Sequence, residues 1–299
     1  MSELPTIDPH HHLWDMERFS YPWLVVKPQP ISVAGDVAPI AHSYRIEDYL
    51  ADIRDQNVVK SVHIDAGYDQ TDPVGETRWL QSVADAHGFP HGIVAHAQLQ
   101  ASDVQAVLEG HRQFRNLRGI RHIVNWHRDP AKTFVQRPDL LTDPAWLAGF
   151  RLLRRYDLSF DLQLYPSQML DGAKLAAAHA DTSIILNHAG MPIDRDPEGI
   201  AQWRSGMRAL AAQPNVTAKV SGLGMVDWHW TVESIRPFVL EAIEIFGPAR
   251  AMFASNFPVD KLYSSFDALY GAFRAIVRDF SEDEKRMLFA GTAERVYRI

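Results

Sequence analysis

The 299-residue chain contains no cysteine, which excludes disulfides, thiolate nucleophiles and cysteine-held zinc together. Any metal would need His, Asp or Glu as ligands. No run of basic residues occurs. With 30 Lys and Arg against 37 Asp and Glu, and a formal charge of −7, the chain offers no surface suited to nucleic acid. No stretch approaches 18 consecutive apolar residues, so no membrane-spanning helix is expected. The opening "MSELPTID" has no basic segment followed by an apolar one, and a cytoplasmic, non-exported protein is expected. No G-x-G-x-x-G follows any strand-like run, which argues against a doubly wound dinucleotide-binding sheet.

What is present is an alternation. Eight β-rich runs stand out: Leu4 to Asp8, "VVKSVHID" (58–65), "GIVAHAQL" (92–99), "LRGIRHIV" (117–124), "LSFDLQL" (158–164), "SIILNHAG" (183–190), "NVTAKVSGL" (215–223) and "RAMFASNFP" (250–258). Between them lie helical patterns. Trp79, Leu80, Val83 and Ala84 share one face, as do Ile235, Phe238, Val239, Ala242, Ile245 and Phe246 ahead of Gly247. Asp143 before Pro144 is an N-cap signal, and Ser281 with Glu284 is a capping box. The alternation predicts a single α/β domain over 1–299, a (β/α)8 TIM barrel, whose typical size is roughly 250 residues. Pro22, Pro28, Pro30 and Pro39 break regular structure after the first run. We expect residues 19–45 to form a lid loop over the barrel mouth.

"IDPHHHLWD" carries the first chemistry. Residues two apart on a strand face the same side, so His10 and His12 converge while His11 faces away. Flanked by an ordinary strand end, three histidines are too few for a tag. His188 in "ILNHAG" and Asn256 in "FASNFP" fall at the ends of the sixth and eighth runs, and strand ends of a barrel meet at one face. The other histidines, such as His87, His91, His111 and His179, are expected on solvated helices or loops.

In "IDPHHHLWD", "LRGIRHI", "ILNHAGMP", "NVTAKVSGL" and "RAMFASNFPV" the chain resembles the amidohydrolase superfamily, in the amidohydrolase-2 group that includes sugar-lactone, 2-pyrone-4,6-dicarboxylate and 4-sulfomuconolactone hydrolases. The resemblance implies a (β/α)8 barrel, with His10 and His12 as the first-strand H-x-H and His188 as the histidine after the sixth strand. It also implies a hydrolase that opens a lactone or similar cyclic ester of a small, oxygen-rich or carboxylated compound. The family's eighth-strand aspartate, its general base, is Asn256 here, and an amide takes no proton at neutral pH. The fourth run supplies Arg and His, not the lysine of two-metal members.

Three replacements for the base remain open: water on one divalent metal, zinc or manganese, held by His10, His12 and His188; a histidine; or Asp260, whose plainer reading is a solvated or lid-pairing loop residue. A metal-independent site is equally open. Arg121 is assigned to a substrate carboxylate or carbonyl, with a structural ion pair as the competing role. Gln163, Tyr165, Ser221 and Trp126 are candidates for further substrate contacts, and His127, Trp228 and His229 for pocket walls. The alternatives are a metal-dependent decarboxylase and a ligand-binding barrel without turnover. The partner expected is a small-molecule substrate, with no nucleic acid and no membrane, and a homo-oligomer is left open.

Overall fold

The computed structural model describes residues 4–26 and 33–299. Eight strands run parallel in chain order as one sheet: β1 (Thr6–His11), β2 (Val58–Ile64), β3 (Gly92–His96), β4 (Leu117–Arg121), β5 (Ser159–Leu162), β6 (Ile184–Leu186), β7 (Val216–Val220) and β8 (Ala251–Phe253). The sheet closes on itself just past β8, where the Asn256 amide donates to the His10 carbonyl and the His12 amide to the Phe257 carbonyl, both at 2.7 Å. A helix follows each strand: α1 (Ile46–Ile53), α2 (Gly75–His87), α3 (Val104–His111), α4 (Pro144–Arg155), α5 (Met169–Ala178), α6 (Pro197–Ala211), α7 (Val232–Phe246) and α8 (Phe266–Ile276). The fold is the expected (β/α)8 barrel.

Local sequence sets these elements. Asp143 caps α4 by accepting from the Trp146 amide, with Pro144 in the first turn, and Ser281 and Glu284 form their reciprocal box. On α7, Ile235, Phe238, Val239, Ala242 and Phe246 are buried against the barrel, and Gly247 ends the helix at φ +77°. Inside the barrel, Ile7, Val62, Ile64, Val94, Ile185 and Met252 form an apolar layer with Ala293, Val296 and Tyr297 of the C-terminal segment. That segment seals the end where the strands begin, since Lys60 and Arg118 at strand starts donate to the carbonyls of Ile299 and Arg298.

Three expectations need correction. The first strand starts later and runs further than Leu4 to Asp8, because its ladder to β2 extends from Thr6 to His11. All seven other runs end early: the eighth stops at Phe253, because the chain beyond turns across to close the barrel. His111 is not solvated. It is buried, bridging the Thr77 hydroxyl and the His96 carbonyl at 2.9 and 3.0 Å. Of the expected lid, 27–32 lies outside the described residues. The chain returns from it pinned to the end of the first strand, Trp14 and Tyr44 exchanging two backbone hydrogen bonds at 2.9 Å.

Candidate active site

The barrel's alternation puts His10 and His12 on one side of the chain. Their ring centres lie 5.1 Å apart. His11 turns outward, stacking on Tyr49 at 4.0 Å and meeting the Ser61 hydroxyl at 3.0 Å. From the opposite wall His188 comes within 4.5 Å of His10, ring centre to ring centre. A sharp left-handed turn delivers it: φ is +56° at His188, +48° at Ala189 and +71° at Gly190, a conformation that costs energy in residues with a side chain. Gly222 makes room for that ring, because a Cβ there would sit 2.5 Å from His188 Nδ1. The Ser221 hydroxyl holds the same nitrogen at 3.0 Å. Asn256 completes the ring of groups, also at positive φ (+58°), its carboxamide 3.4 Å from His12 Nε2.

Burial decides the charges. Loss of solvent, then the charges of neighbouring Lys219 and Arg121, holds His10 and His188 well below the ordinary imidazole range. His12 is lowered by the same burial to about 4. All three are therefore neutral at pH 7. The His12 Nδ1–H donates to the Ile64 carbonyl at 2.7 Å, which leaves a lone pair on Nε2. Asn256 Oδ1, 3.4 Å away, is also an acceptor, so the pair is complementary with the Asn256 carboxamide turned to present its NH2.

The plainer reading of Asp260, a solvated or lid-pairing loop residue, does not hold. The residue is 1% exposed, and neither carboxyl oxygen completes a hydrogen bond among the described residues. Burial pushes its pKa up to about 7, against small opposing effects from the Asn256 side chain and the Gly222 amide. Beside Asn256 there is thus a carboxyl poised to gain or lose a proton near neutrality.

Arg121 is buried on β4. Its Nε donates to Asp65 Oδ2 at 2.8 Å, its Nη1 to Gln163 Oε1 at 3.0 Å, and its Nη2 to the Asp65 carbonyl. It stands in the ion pair named as its competing role, and Gln163 orients it. The Tyr165 hydroxyl is directed to the Lys132 carbonyl, and Ser221 to His188. Trp126 is half-buried, its amide donating to Gln168. Over the C-terminal ends of the strands lies a cavity of about 410 Å³, with Val33, Lys132, Ile193, Met225, Trp228 and His229 in its wall. Met225 ties that wall to the histidines, since a Cβ on Gly222 would lie 2.7 Å from Met225 Cε as well as against His188.

Sequence reasoning missed Lys219 and Asp161. Both are fully buried, paired at 2.5 Å across the barrel between β7 and β5. Removing one partner of such a pair typically costs about 3–5 kcal/mol. A signal existed: Lys219 lies two residues before Ser221, so period two puts it on the same inward face.

The donor set does not suit the divalent metal left open by the sequence. Among the described residues no three His, Asp or Glu side chains converge as ligands. His10 has the Lys219 ammonium 3.4 Å from its Nδ1. A cation beside a prospective ligand opposes a second cation.

The family profile described as Amidohydrolase, of the amidohydrolase-2 type, matches residues 7–299. The chain belongs to that family. Within it the chain is 52% identical over 299 residues to "Uncharacterized protein y4mH" of Sinorhizobium fredii, covering 100% of each. It is 28% identical over 308 residues to an L-fucono-1,5-lactonase of Burkholderia multivorans, covering 98% of this chain and 96% of that one. A crystal structure of an amidohydrolase from Burkholderia multivorans with bound zinc superposes with a TM-score of 0.82 at 26% identity, covering 99% of each chain. This amidohydrolase is a hydrolase acting on a small molecule. Among the described residues no helix is long and apolar enough to cross a membrane.

Proposed function

We propose that this amidohydrolase opens a lactone of a small, oxygen-rich compound, with Asp260 as the proton carrier. The observation that carries this reading is the buried Asp260 carboxyl, with a pKa of about 7, beside Asn256, whose carboxamide lies 3.4 Å from His12 Nε2. The lactonase name of a relative that matches over nearly its whole length supports the substrate class.

In the first step the Asp260 carboxylate takes a proton from water while the water oxygen bonds to the ring carbonyl carbon. The lone pair on His12 Nε2 orients that water, and imidazole N–H groups stabilise the oxyanion. In the second step the ring C–O bond breaks, and protonated Asp260 returns its proton to the departing ring oxygen. A group with a pKa near the working pH serves both steps, which neither the imidazoles nor an ordinary aspartate would do here. Asn256 holds its amide between His12 and Asp260 and takes no proton. Lys132 and His229 offer the cavity polar contacts for substrate hydroxyls, and Val33, on the chain returning to the barrel, covers part of its wall.

The test is acid release from a panel of aldonolactones and muconolactones, followed with a pH indicator. Ring opening by the wild type that collapses in His12→Gln supports the reading. No hydrolysis across the panel overturns it, as does turnover that His12→Gln leaves intact.

A further inference from the structure

Beneath the histidines, the barrel holds the Lys219–Asp161 pair that the lactonase mechanism above does not use. Lys219 has no solvent exposure, and its Nζ lies 2.5 Å from Asp161 Oδ1. The Tyr297 hydroxyl donates to the same Asp161 oxygen at 2.8 Å, and the Tyr297 ring lies 5.0 Å from the ammonium. The lysine is therefore fixed from below by a carboxylate and by an aromatic face. Above it, Nζ lies 3.4 Å from His10 Nδ1, a long contact but the one polar partner of that nitrogen among the described residues. His10 Nε2 is buried and has no partner among the described residues.

An ammonium is donor only. Burial lowers the Lys219 pKa to about 8 against the pull of Asp161, so at pH 7 and below Lys219 is an ammonium and can face His10 favourably only if Nδ1 bears the lone pair. The opposite tautomer would set an N–H against an N–H, with no acceptor between them. A neutral imidazole with its lone pair on Nδ1 carries its proton on Nε2. His10 and His12 would then be complementary: one presents an N–H to the site, the other a lone pair.

We infer that Lys219 is a positioning residue, which locks His10 in the Nε2–H tautomer so that His10 donates a hydrogen bond to the substrate's carbonyl oxygen. The lock itself is a property of the protein alone. Only the last clause rests on the lactonase reading. A buried ammonium thereby sits at the place where a metal-ligating His10 would need a hydrogen-bond acceptor at Nδ1, so His10 serves as a donor and not as a ligand.

The experiment is a long-range nitrogen–proton spectrum of the full chain labelled with 15N-histidine, with His10→Gln used to assign the resonance. The expected result is an unprotonated Nδ1 and a protonated Nε2 on His10. A proton on Nδ1 overturns the inference, whatever the substrate proves to be. The paired variant Lys219→Met with Asp161→Asn removes both charges together and so strands neither. It is expected to release His10 into a mixture of tautomers, and a wild-type spectrum in that variant also overturns the inference. If it does not fold, the wild-type spectrum alone decides. On a lactone that the wild type opens, the same variant is expected to lose roughly 100-fold in kcat with little change in KM, the loss of one oxyanion donor. An unchanged kcat removes the donor role. Failure of the whole lactone panel removes the lactonase reading and leaves the tautomer result standing.

Discussion

The Asp260 amide donates to the Asn256 carbonyl at 3.1 Å, so one turn of chain carries both the amide that ends the eighth strand's path and the carboxyl buried beside it. Asn256 occupies the place where the resemblance calls for an acid, and the acid stands four residues on. The turn starts from positive φ at Asn256, a conformation Asn tolerates better than most residues. Asp260 accordingly faces the same interior as Asn256. On the proposed reading, the base has moved along the chain to Asp260.

Asp260→Asn tests that displacement. The side chain keeps its shape and loses its proton, so kcat on a competent lactone is expected to fall by roughly 10²- to 10⁴-fold while the fold is retained. Steady-state kinetics with a circular dichroism control measures it. A variant within threefold of wild type would assign the base elsewhere.

Asn256→Asp places a second carboxyl against Asp260. Two neighbouring carboxylates resist joint ionisation, so the acid limb of the pH–rate profile, expected near pH 7 in the wild type, should move to higher pH. A limb that falls below pH 5 at full rate would mean that position 256 can itself supply the base and that Asp260 is dispensable.

How much of this was legible follows from the physics of each position. The eight strands and their order could be read from β-rich runs between amphipathic helices, because those patterns are local. Their carboxyl ends could not, since nothing in 251–257 marks where the chain leaves the ladder, after Phe253, to close the barrel. The convergence of His10, His12 and His188 needed only period two and the common face of strand ends. Asp260 lies past Pro258 in a stretch without periodicity, and nothing local distinguishes a buried aspartate from a solvated one there. Lys219 is a similar case. A strand lysine normally points to water, and its burial makes sense only with Asp161, 58 residues away in sequence. His111 looked like a surface residue because its partners, Thr77 and the His96 carbonyl, come from other elements.

The raised pKa of Asp260 also has a consequence for stability. Its folded value of about 7 stands above the ordinary 3.8, so the proton it holds favours the fold fully below about pH 4, and that contribution is lost as pH rises through 7. Asp260→Asn has no proton to lose. Relative to wild type it should gain on the order of 2–4 kcal/mol between pH 4 and pH 8. Urea denaturation at the two pH values measures this, and an equal difference at both would show that the carboxyl is not buried as described.

The mouth of the barrel offers a test of the lid. Trp228 and Tyr263 lie parallel, 6.2 Å between ring centres, and both reach the returning arm: Trp228 Nε1 donates to the Val33 carbonyl at 3.1 Å, and the Tyr263 hydroxyl donates to the Ala34 carbonyl. Gly35 sits against them at φ +70°, where a Cβ would come 2.6 Å from the Tyr263 hydroxyl and 3.1 Å from the Trp228 ring. Gly35→Ala therefore meets both a backbone penalty and a clash, and the arm should lift from the two rings. Because Val33 and Trp228 line the cavity while His10, His12, His188, Asn256 and Asp260 are not part of its wall, the change should weaken substrate binding more than chemistry. We expect KM to rise about 10-fold, with kcat within threefold. A fall in kcat at constant KM would instead place the arm in the chemical step, and no change in either would show that residues 33–35 do not cover bound substrate.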